Sequence, residues 1–380
     1  MLPESTLHEY HDTRDYTLKP FRSVCYAPHV SLFFNTLGDV SACCQNSTYV
    51  LGNVAHDRLK DIWHGKRTAI LRKALENDSF AAGCQFCKWQ ISVGNYRNAY
   101  TTLFDRFPVP GHAPDWPSQM EFSVSNTCNY ACIMCSGMFS STIRSHREKL
   151  PPLPKAYGET FFADLREFLP HLKYAKFLGG EPFLAAESLR IWEMMIDDGH
   201  CVHSHVTTNG SQYNARVERI LERIPMDICV SLDGLTKTTF EKIRVNSSFD
   251  SVMENIMRFH AYTKARGHDL TFPICLMQQN WQEFGDMLLF ADSLDCNTYV
   301  NVVRHPPECS LYSLTREELE PIVRSLEQQN ERIVRVLGAG VARRPHMTGI
   351  RNLAIWTEQL KVLRRHVDEF DESMAARKAI

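Results

Sequence analysis

The sequence predicts an α/β protein whose central part consists of six strand–helix units. Three observations support this prediction: short apolar segments recur from Met120 onwards, amphipathic segments separate them, and glycine-containing turns follow several of them. Six units within about 185 residues are too few for the usual eight-unit barrel of about 250 residues. They fit either an open partial (β/α)6 barrel or a doubly wound sheet.

The region before these units has a different pattern. Short strands are expected near Ser31–Phe34 and Val40–Cys43, followed by one helix from about Leu59 to Glu76. Residues 107–117 contain four prolines, which is typical of a linker. We therefore expect a small α+β domain over residues 1–106 and a linker over 107–117.

The six expected strands lie between residues 118 and 310. They are Met120–Val124, Ala175–Leu178, His203–Thr207, Ile228–Leu232, Leu270–Met277 and Thr298–Val303. Amphipathic stripes between them, such as Val217, Ile220, Leu221 and Ile224, have the i, i+3, i+4, i+7 spacing of a helix. Residues 311–380 carry two further charged helical segments, Thr315–Leu337 and Asn352–Phe370, and are expected to form a helical extension.

Composition excludes several classes of protein. Hydrophobic residues make up 44% and charged residues 23% of the 380 residues, which is ordinary for a globular protein and unlike a disordered one. The net charge of −2 argues against nucleic acid or an anionic membrane as a partner. No apolar run approaches 18 residues and the first twenty residues contain no apolar signal segment, so we expect a cytoplasmic protein.

Cysteine usage points to metal. The chain has 13 cysteines, an odd number that clusters along the sequence and is too sparse for a disulfide scaffold. Cys128, Cys132 and Cys135 form C-x3-C-x2-C directly after the first expected strand of the central part. Three thiolates can hold three corners of an iron–sulfur cube and leave one iron without a protein ligand, whereas a structural zinc site requires four ligands.

This motif resembles that of the radical S-adenosylmethionine (SAM) superfamily, with Tyr130 and Met134 inside the cysteine loop. The resemblance spans about residues 118–305 and implies a partial (β/α)6 barrel that binds SAM and a [4Fe–4S] cluster through the three cysteines. Further motifs follow the second, third and fourth strands. The residues that the resemblance assigns to SAM are Gly179, Gly180, Glu181, Pro182, Thr208, Asn209, Ser231, Asp233 and Arg244, together with Tyr130 and Met134.

A second cysteine set precedes the central part. Cys25 and Cys43, followed by Cys84-x2-Cys87, can close a tetrahedral site, and their spacing alone does not decide between zinc and iron–sulfur. The segments around Gly52 and Leu59 resemble SPASM/twitch modules, which carry an auxiliary [4Fe–4S] cluster and normally follow the barrel instead of preceding it. Of the adjacent Cys43 and Cys44 we prefer Cys43, because it matches the Gly-x4-Cys spacing from Gly38.

The loop after the sixth strand carries three further candidates. Cys309 is a possible hydrogen-atom donor to a substrate radical, and His305 and Glu308 are possible proton carriers. The other cysteines, Cys201, Cys229, Cys275 and Cys296, are expected to be buried apolar residues.

The resemblance implies that SAM is cleaved reductively to a 5′-deoxyadenosyl radical, which abstracts hydrogen from a substrate C–H bond. We expect oxidation or cross-linking of a peptide, a protein or a small natural product, with the auxiliary cluster as electron acceptor. The alternatives are a redox-neutral epimerase, a sugar or aminocyclitol dehydrogenase, and a non-catalytic metal-binding scaffold. An external low-potential donor such as flavodoxin or ferredoxin would be needed.

Overall fold

The computed structural model describes residues 2–17, 19–46, 48–80, 82–96, 99–341 and 348–378. Within these ranges the strands are β1 (Ser31–Phe34), β2 (Asp39–Ser41), β3 (Gly52–Asn53), β4 (Gln119–Phe122), β5 (Tyr174–Phe177), β6 (Ser204–Thr208), β7 (Met226–Val230), β8 (Leu270–Leu276) and β9 (Asn297–Val302).

The α-helices of the same ranges separate and flank these strands. They are α1 (Glu4–Asp12), α2 (Ala27–Val30), α3 (Leu59–His64), α4 (Lys66–Glu76), α5 (Gln85–Ser92), α6 (Glu159–Phe168), α7 (Ala186–Asp197), α8 (Ala215–Arg223), α9 (Lys237–Ile243), α10 (Phe249–Arg266), α11 (Phe284–Ser293), α12 (Arg316–Val341) and α13 (Thr348–Lys378). None of the helices in the described ranges is both long and apolar enough to cross a membrane.

The chain forms two compact units. The first contains Met1–Thr127, Pro151–Val206 and Arg219–Pro225, and the second contains Cys128–Leu150, Thr207–Glu218 and Met226–Ile380. The boundary between them falls within β6, whose last two residues belong to the second unit.

In the first unit the strands follow the order β3-β2-β1-β4-β5-β6. β1 and β2 form an antiparallel hairpin, while β1 pairs with β4 in parallel, in register from Ser31 opposite Gln119 to Phe34 opposite Phe122. On one face of this sheet Phe122 stacks between Phe34 and Phe177, with ring centroids 5.4 and 5.1 Å apart. Since side chains alternate along a strand, Glu121 and Lys176 lie on the opposite face.

In the second unit the order continues from the end of β6 to β7, β8 and β9. β8 pairs with both neighbours in parallel. A core of buried residues joins β8 to α11, α12 and α13, and includes Ile274, Phe284, Leu326, Trp356 and Leu363.

This architecture confirms the predicted α/β class. Each of the six strands β4 to β9 lies within two residues of its predicted position. Their spatial order follows their sequence order without the reversal of a doubly wound sheet, and the sheet does not close. The arrangement is therefore that of an open, partial (β/α)6 barrel.

The prediction of one helix from Leu59 to Glu76 is wrong. Gly65 has an extended backbone, with φ −70° and ψ 164°, and separates α3 from α4. A Cβ at this position would lie 2.4 Å from the carbonyl oxygen of Asp61, so glycine permits the break. The residues 107–117 contain no helix or strand, yet Trp116 stacks on His171 at 4.1 Å. The domain limits at 106, 117 and 310 remain predictions.

Candidate metal centres

The C-x3-C-x2-C loop belongs to the second unit, and backbone hydrogen bonds fix it to a neighbouring segment. The amides of Ala131 and Ile133 donate to the carbonyl oxygens of Val245 and Ile243, at 2.9 and 3.0 Å. The loop therefore runs beside the segment that carries Arg244. Burial raises the pKa of Cys132, and it raises that of Cys135 to about 11, with a further contribution from Cys132.

Hydroxyl side chains that follow the loop fasten it. Ser140 Oγ donates to the Tyr130 carbonyl at 2.6 Å, and Thr142 Oγ1 donates to the Cys128 carbonyl at 2.7 Å. Ser141 Oγ accepts from the Cys128 amide at 3.2 Å. These hydroxyls orient the cysteine backbone, and sequence reasoning missed them. The run Ser140-Ser141-Thr142 directly after the motif was the available signal.

A short π-helix, Ile143–Arg147, continues from these hydroxyls. Single π-turns often occur at functional sites. Arg147 donates to the carbonyl oxygens of both Cys132 and Cys135, and Glu148 Oε1 accepts from the Gly137 amide at 2.7 Å. The cysteine loop is thus fixed from both of its ends.

Arg244 lies beside the cysteines in a buried ion pair. Its Nη2 donates to Asp233 Oδ2 at 2.6 Å, and its Nη1 lies 4.0 Å from Cys132 Sγ. Burial opposes the guanidinium charge, but the Asp233 carboxylate together with Cys132 and Cys275 outweighs this effect, and the pKa of Arg244 is raised. Asp233 is oriented in turn by the Cys275 amide, which donates to Oδ1 at 2.8 Å.

Asn209 contacts the first cysteine of the motif. Its Nδ2 lies 3.7 Å from Cys128 Sγ and donates to Asn129 Oδ1 at 3.0 Å. Thr208 accepts from the Ser231 amide at 3.0 Å through its carbonyl oxygen. The ends of β6 and β7 therefore lie next to each other in the second unit.

The residues Gly179 to Pro182 lie in the first unit, against the residues that precede Cys128 in the chain. Gly179 and Gly180 have φ values of +81° and +30°. A Cβ would lie 2.3 Å from Ser123 Oγ at Gly179 and 2.4 Å from the Thr127 carbonyl oxygen at Gly180. The Glu181 amide donates to that same oxygen at 2.7 Å, and Glu181 is fully buried. Only glycine fits this close approach.

The amino-terminal cysteines meet around one cavity. Its lining includes Cys25, Cys43, Cys84 and Cys87 together with apolar side chains such as Leu71, Leu75, Phe80 and Phe104. Burial raises the pKa of Cys84 to about 11 and that of Cys87 to about 12, and it also raises the pKa values of Cys25 and Cys43 well above the usual range. Neutral thiols pack well in an apolar cavity, and four of them around one cavity form a donor set that a metal can bind once it replaces their protons.

Cys44 belongs to a different, polar cluster that sequence reasoning missed. Its Sγ lies 2.9 Å from Tyr100 Oη, and it also interacts with Glu121. Glu121 pairs with Lys176 at 3.0 Å although its side chain is only 1% exposed. The only signal of this cluster in the sequence was the glutamate of β4, Glu121, which is followed by an apolar residue. The partners of Glu121 come from distant segments of the chain.

The three candidate catalytic residues in the loop after β9 differ in their exposure. Cys309 is fully buried in a cluster with Ile243, Met277 and Val303, and Met134 of the cysteine motif packs against this cluster. His305 and Glu308 are exposed.

The residues present fit SAM and iron–sulfur clusters. Arg244 Nε is buried without a hydrogen-bond partner among the described residues, which suits a residue that receives a further anionic group. The glycine pair and the three-thiol loop leave backbone and sulfur available for a cofactor, and the four-thiol cavity has the donor set of a fully ligated cluster.

Comparisons with known proteins agree with this chemistry. Residues 122–291 match the family model of the radical SAM superfamily, and residues 25–88 match SPASM, an iron–sulfur cluster-binding domain. No curated protein sequence matches the chain.

Several solved structures are similar to the chain. SuiB of Streptococcus suis bound to S-adenosylmethionine is 12% identical over 69% of this chain and 61% of that chain, with a TM-score of 0.37. SuiB bound to the precursor peptide SuiA is 13% identical over 67% and 60%, with a TM-score of 0.39. Native anSMEcpe with bound AdoMet is 15% identical over 58% and 62%, with a TM-score of 0.41. The chain spans about three fifths of the length of these structures.

The two family matches account for both cysteine sets, and their order in the chain is the reverse of the usual one, with the auxiliary domain first. Members of this superfamily use SAM and a [4Fe–4S] cluster, and SPASM domains bind auxiliary clusters. Residues 122–291 therefore form a radical SAM domain, and a SPASM domain, residues 25–88, precedes it in the chain.

Proposed function

We propose that this enzyme cleaves SAM reductively and oxidises a C–H-containing substrate. In this proposal Cys128, Cys132 and Cys135 hold the SAM-binding cluster. Bound together, SAM and the reduced cluster supply a 5′-deoxyadenosyl radical, which removes a hydrogen atom from the substrate. The observation that carries the proposal is that the chain has both a three-thiol loop and a separate four-thiol cavity.

The polar residues of the motifs that follow the strands would orient SAM. We assign the methionyl amine to Glu181 and the backbone of Gly179, Gly180 and Pro182, since a buried carboxylate is strongly stabilised by an ammonium partner. Arg244, held by Asp233, offers its Nε to the SAM carboxylate or ribose. Further contacts to SAM are assigned to Thr208, Asn209, Ser231, Tyr130 and Met134.

The auxiliary cluster would be held by Cys25, Cys43, Cys84 and Cys87. Four thiolates saturate a cluster, so the substrate has no vacant iron there to bind. The substrate radical becomes a closed-shell product when it loses one proton and one electron. The auxiliary cluster is suited to accept that electron. Cys44 faces Tyr100 Oη in this arrangement and is not assigned as a ligand.

A peptide or protein is the substrate class that we favour, because SPASM-type modules accompany peptide modification more often than sugar or aminocyclitol oxidation. We place the enzyme in the cytoplasm, because a reducing compartment preserves clusters and free thiols. None of the 13 cysteines, all of which lie within the described residues, forms a disulfide bond.

The test is SAM-dependent formation of 5′-deoxyadenosine by anaerobically reconstituted, dithionite-reduced protein. Replacing Cys128, Cys132 and Cys135 together by Ala should abolish it, whereas Cys201→Ala, outside both sites, should leave it unchanged. Retained activity in the triple variant would contradict the assignment. A wild-type protein that binds iron but never cleaves SAM would instead be a metal-binding scaffold.

Redox-neutral epimerisation is a second candidate because Cys309 belongs to the buried cluster against which Met134 of the cysteine motif packs. A thiol there could return a hydrogen atom to a substrate radical. Cys309→Ala should then abolish product but spare SAM cleavage, and carbon-bound deuterium should appear in a product formed in deuterated solvent. Product without deuterium would favour net oxidation.

A further inference from the structure

Residues 139–150, which directly follow the cysteine loop, present an exposed surface that combines cationic and apolar side chains. We call this surface the basic patch. Phe139 is 51% exposed and Leu150 is 46% exposed, although both are large and apolar. Between them lie Arg144, Arg147 and Lys149 against a single acidic residue, Glu148, in a chain whose net charge is −2.

Two of the three cationic side chains of this surface, Arg147 and Lys149, are exposed. Glu148 is turned towards the loop, where its Oε1 accepts from the Gly137 amide at 2.7 Å. Arg147 donates to backbone carbonyl oxygens, which leave its positive charge uncompensated.

The basic patch also adjoins the proposed cluster ligands. Arg147 hydrogen-bonds to the carbonyls of Cys132 and Cys135, so one residue connects the exposed surface to the cysteine loop. Ser136, immediately after Cys135, is exposed as well. A donor seated here would be separated from the cluster by little more than the loop itself.

We propose that the basic patch docks an acidic, low-potential electron-transfer protein that reduces the SAM-binding cluster. Opposite charges steer such encounters and raise their rate, while exposed aromatic and aliphatic side chains supply the apolar contact at the centre of the interface. The inference rests on the proposed SAM cleavage, since only a cluster that must be reduced requires a donor.

The experiment compares two reductants. The rate of 5′-deoxyadenosine formation is measured with dithionite, a small ion that needs no docking surface, and with an enzymatically reduced flavodoxin of net negative charge. The variants are Lys149→Glu and Lys149→Glu combined with Phe139→Ser. Arg335→Glu, an equal change of charge at an exposed position of α12, is the matched control.

We expect the Lys149→Glu change to raise the apparent KM for flavodoxin about five- to twentyfold and to weaken its dependence on salt. The dithionite rate should stay within twofold of wild type, and Arg335→Glu should behave as wild type. Calorimetric titration with oxidised flavodoxin measures Kd without turnover. Its Kd values should rank the variants in the same order as the apparent KM.

Unchanged KM and Kd in both patch variants would overturn the proposal. A dithionite rate that falls as much as the flavodoxin-driven rate would also overturn it, because the variants would then act on the cysteine loop itself. If wild-type protein cleaves no SAM even with dithionite, the proposed function fails, while the Kd series still decides whether flavodoxin docks on the basic patch.

Discussion

At the scale of single residues, the fold depends on a few positions where two segments of backbone come close or a buried charge is paired. Gly180 is the clearest example. Its φ is positive, and the carbonyl oxygen of Thr127 lies where a Cβ would otherwise be. Asp233 acts through Arg244, which it orients from a fully buried position. Both positions were predicted from motif order, whereas the Ser140 and Thr142 hydroxyls that fasten the loop were not.

Replacing Gly180 by Ala should damage SAM binding. The new Cβ would overlap the Thr127 carbonyl oxygen, and the backbone conformation disfavours L-residues, so we expect a loss of about 1–3 kcal/mol in stability. SAM affinity of the reconstituted protein, measured by equilibrium dialysis, should fall at least tenfold. Gly111→Ala, where a Cβ meets nothing within 4 Å, is the control and should change neither quantity. Wild-type affinity in Gly180→Ala would show that this turn does not approach SAM.

At the scale of elements, the helices beside the four-thiol cavity are joined by a buried histidine. His29 in α2 contacts Glu76 Oε1 at the end of α4, at 2.9 Å. Burial lowers the pKa of His29 to about 4, and the ion pair with Glu76 only partly offsets this. The docking of α2 on α4 therefore requires a neutral imidazole.

This histidine predicts a pH dependence of stability. In the unfolded chain a histidine takes up its proton near pH 6.5, whereas in the folded protein it does so only near pH 4. Stability should therefore be full above about pH 6.5 and fall as the pH drops towards 4, by up to about 3 kcal/mol from this one group. Urea unfolding of wild type and His29→Gln across this range should show a shallower decline in the variant. Parallel pH profiles would contradict the assignment.

The limits of sequence reasoning are clearest at this scale. Strands β4 to β9 were predictable because alternating apolar segments and glycine turns are local signals. The parallel pairing of β1 with β4 was not, since it joins residues 88 positions apart and depends on the stacking of Phe34 on Phe122. The cluster of Cys44, Tyr100, Glu121 and Lys176 was missed for the same reason, because each residue is ordinary in its own segment.

At the scale of the whole molecule, the proposal is that one chain carries two clusters with different ligand counts. Anaerobically purified protein should contain about eight irons and eight sulfides per chain. Replacing Cys84 and Cys87 by Ala should reduce this to about four irons while SAM cleavage with dithionite continues. Cys44→Ala is the matched control and should keep about eight irons. A loss of four irons in Cys44→Ala would transfer the ligand role to that residue, and stoichiometric zinc in wild type would contradict the second cluster.

The central claim is that one iron of the cluster on Cys128, Cys132 and Cys135 has no protein ligand and binds SAM. Electron paramagnetic resonance of the dithionite-reduced Cys84→Ala/Cys87→Ala protein, which should retain only this cluster, tests the claim most directly. Adding SAM should shift the g values of its signal, and SAM labelled with 17O or 15N at the methionyl carboxylate or amine should broaden it. A signal that SAM leaves unchanged would contradict the account.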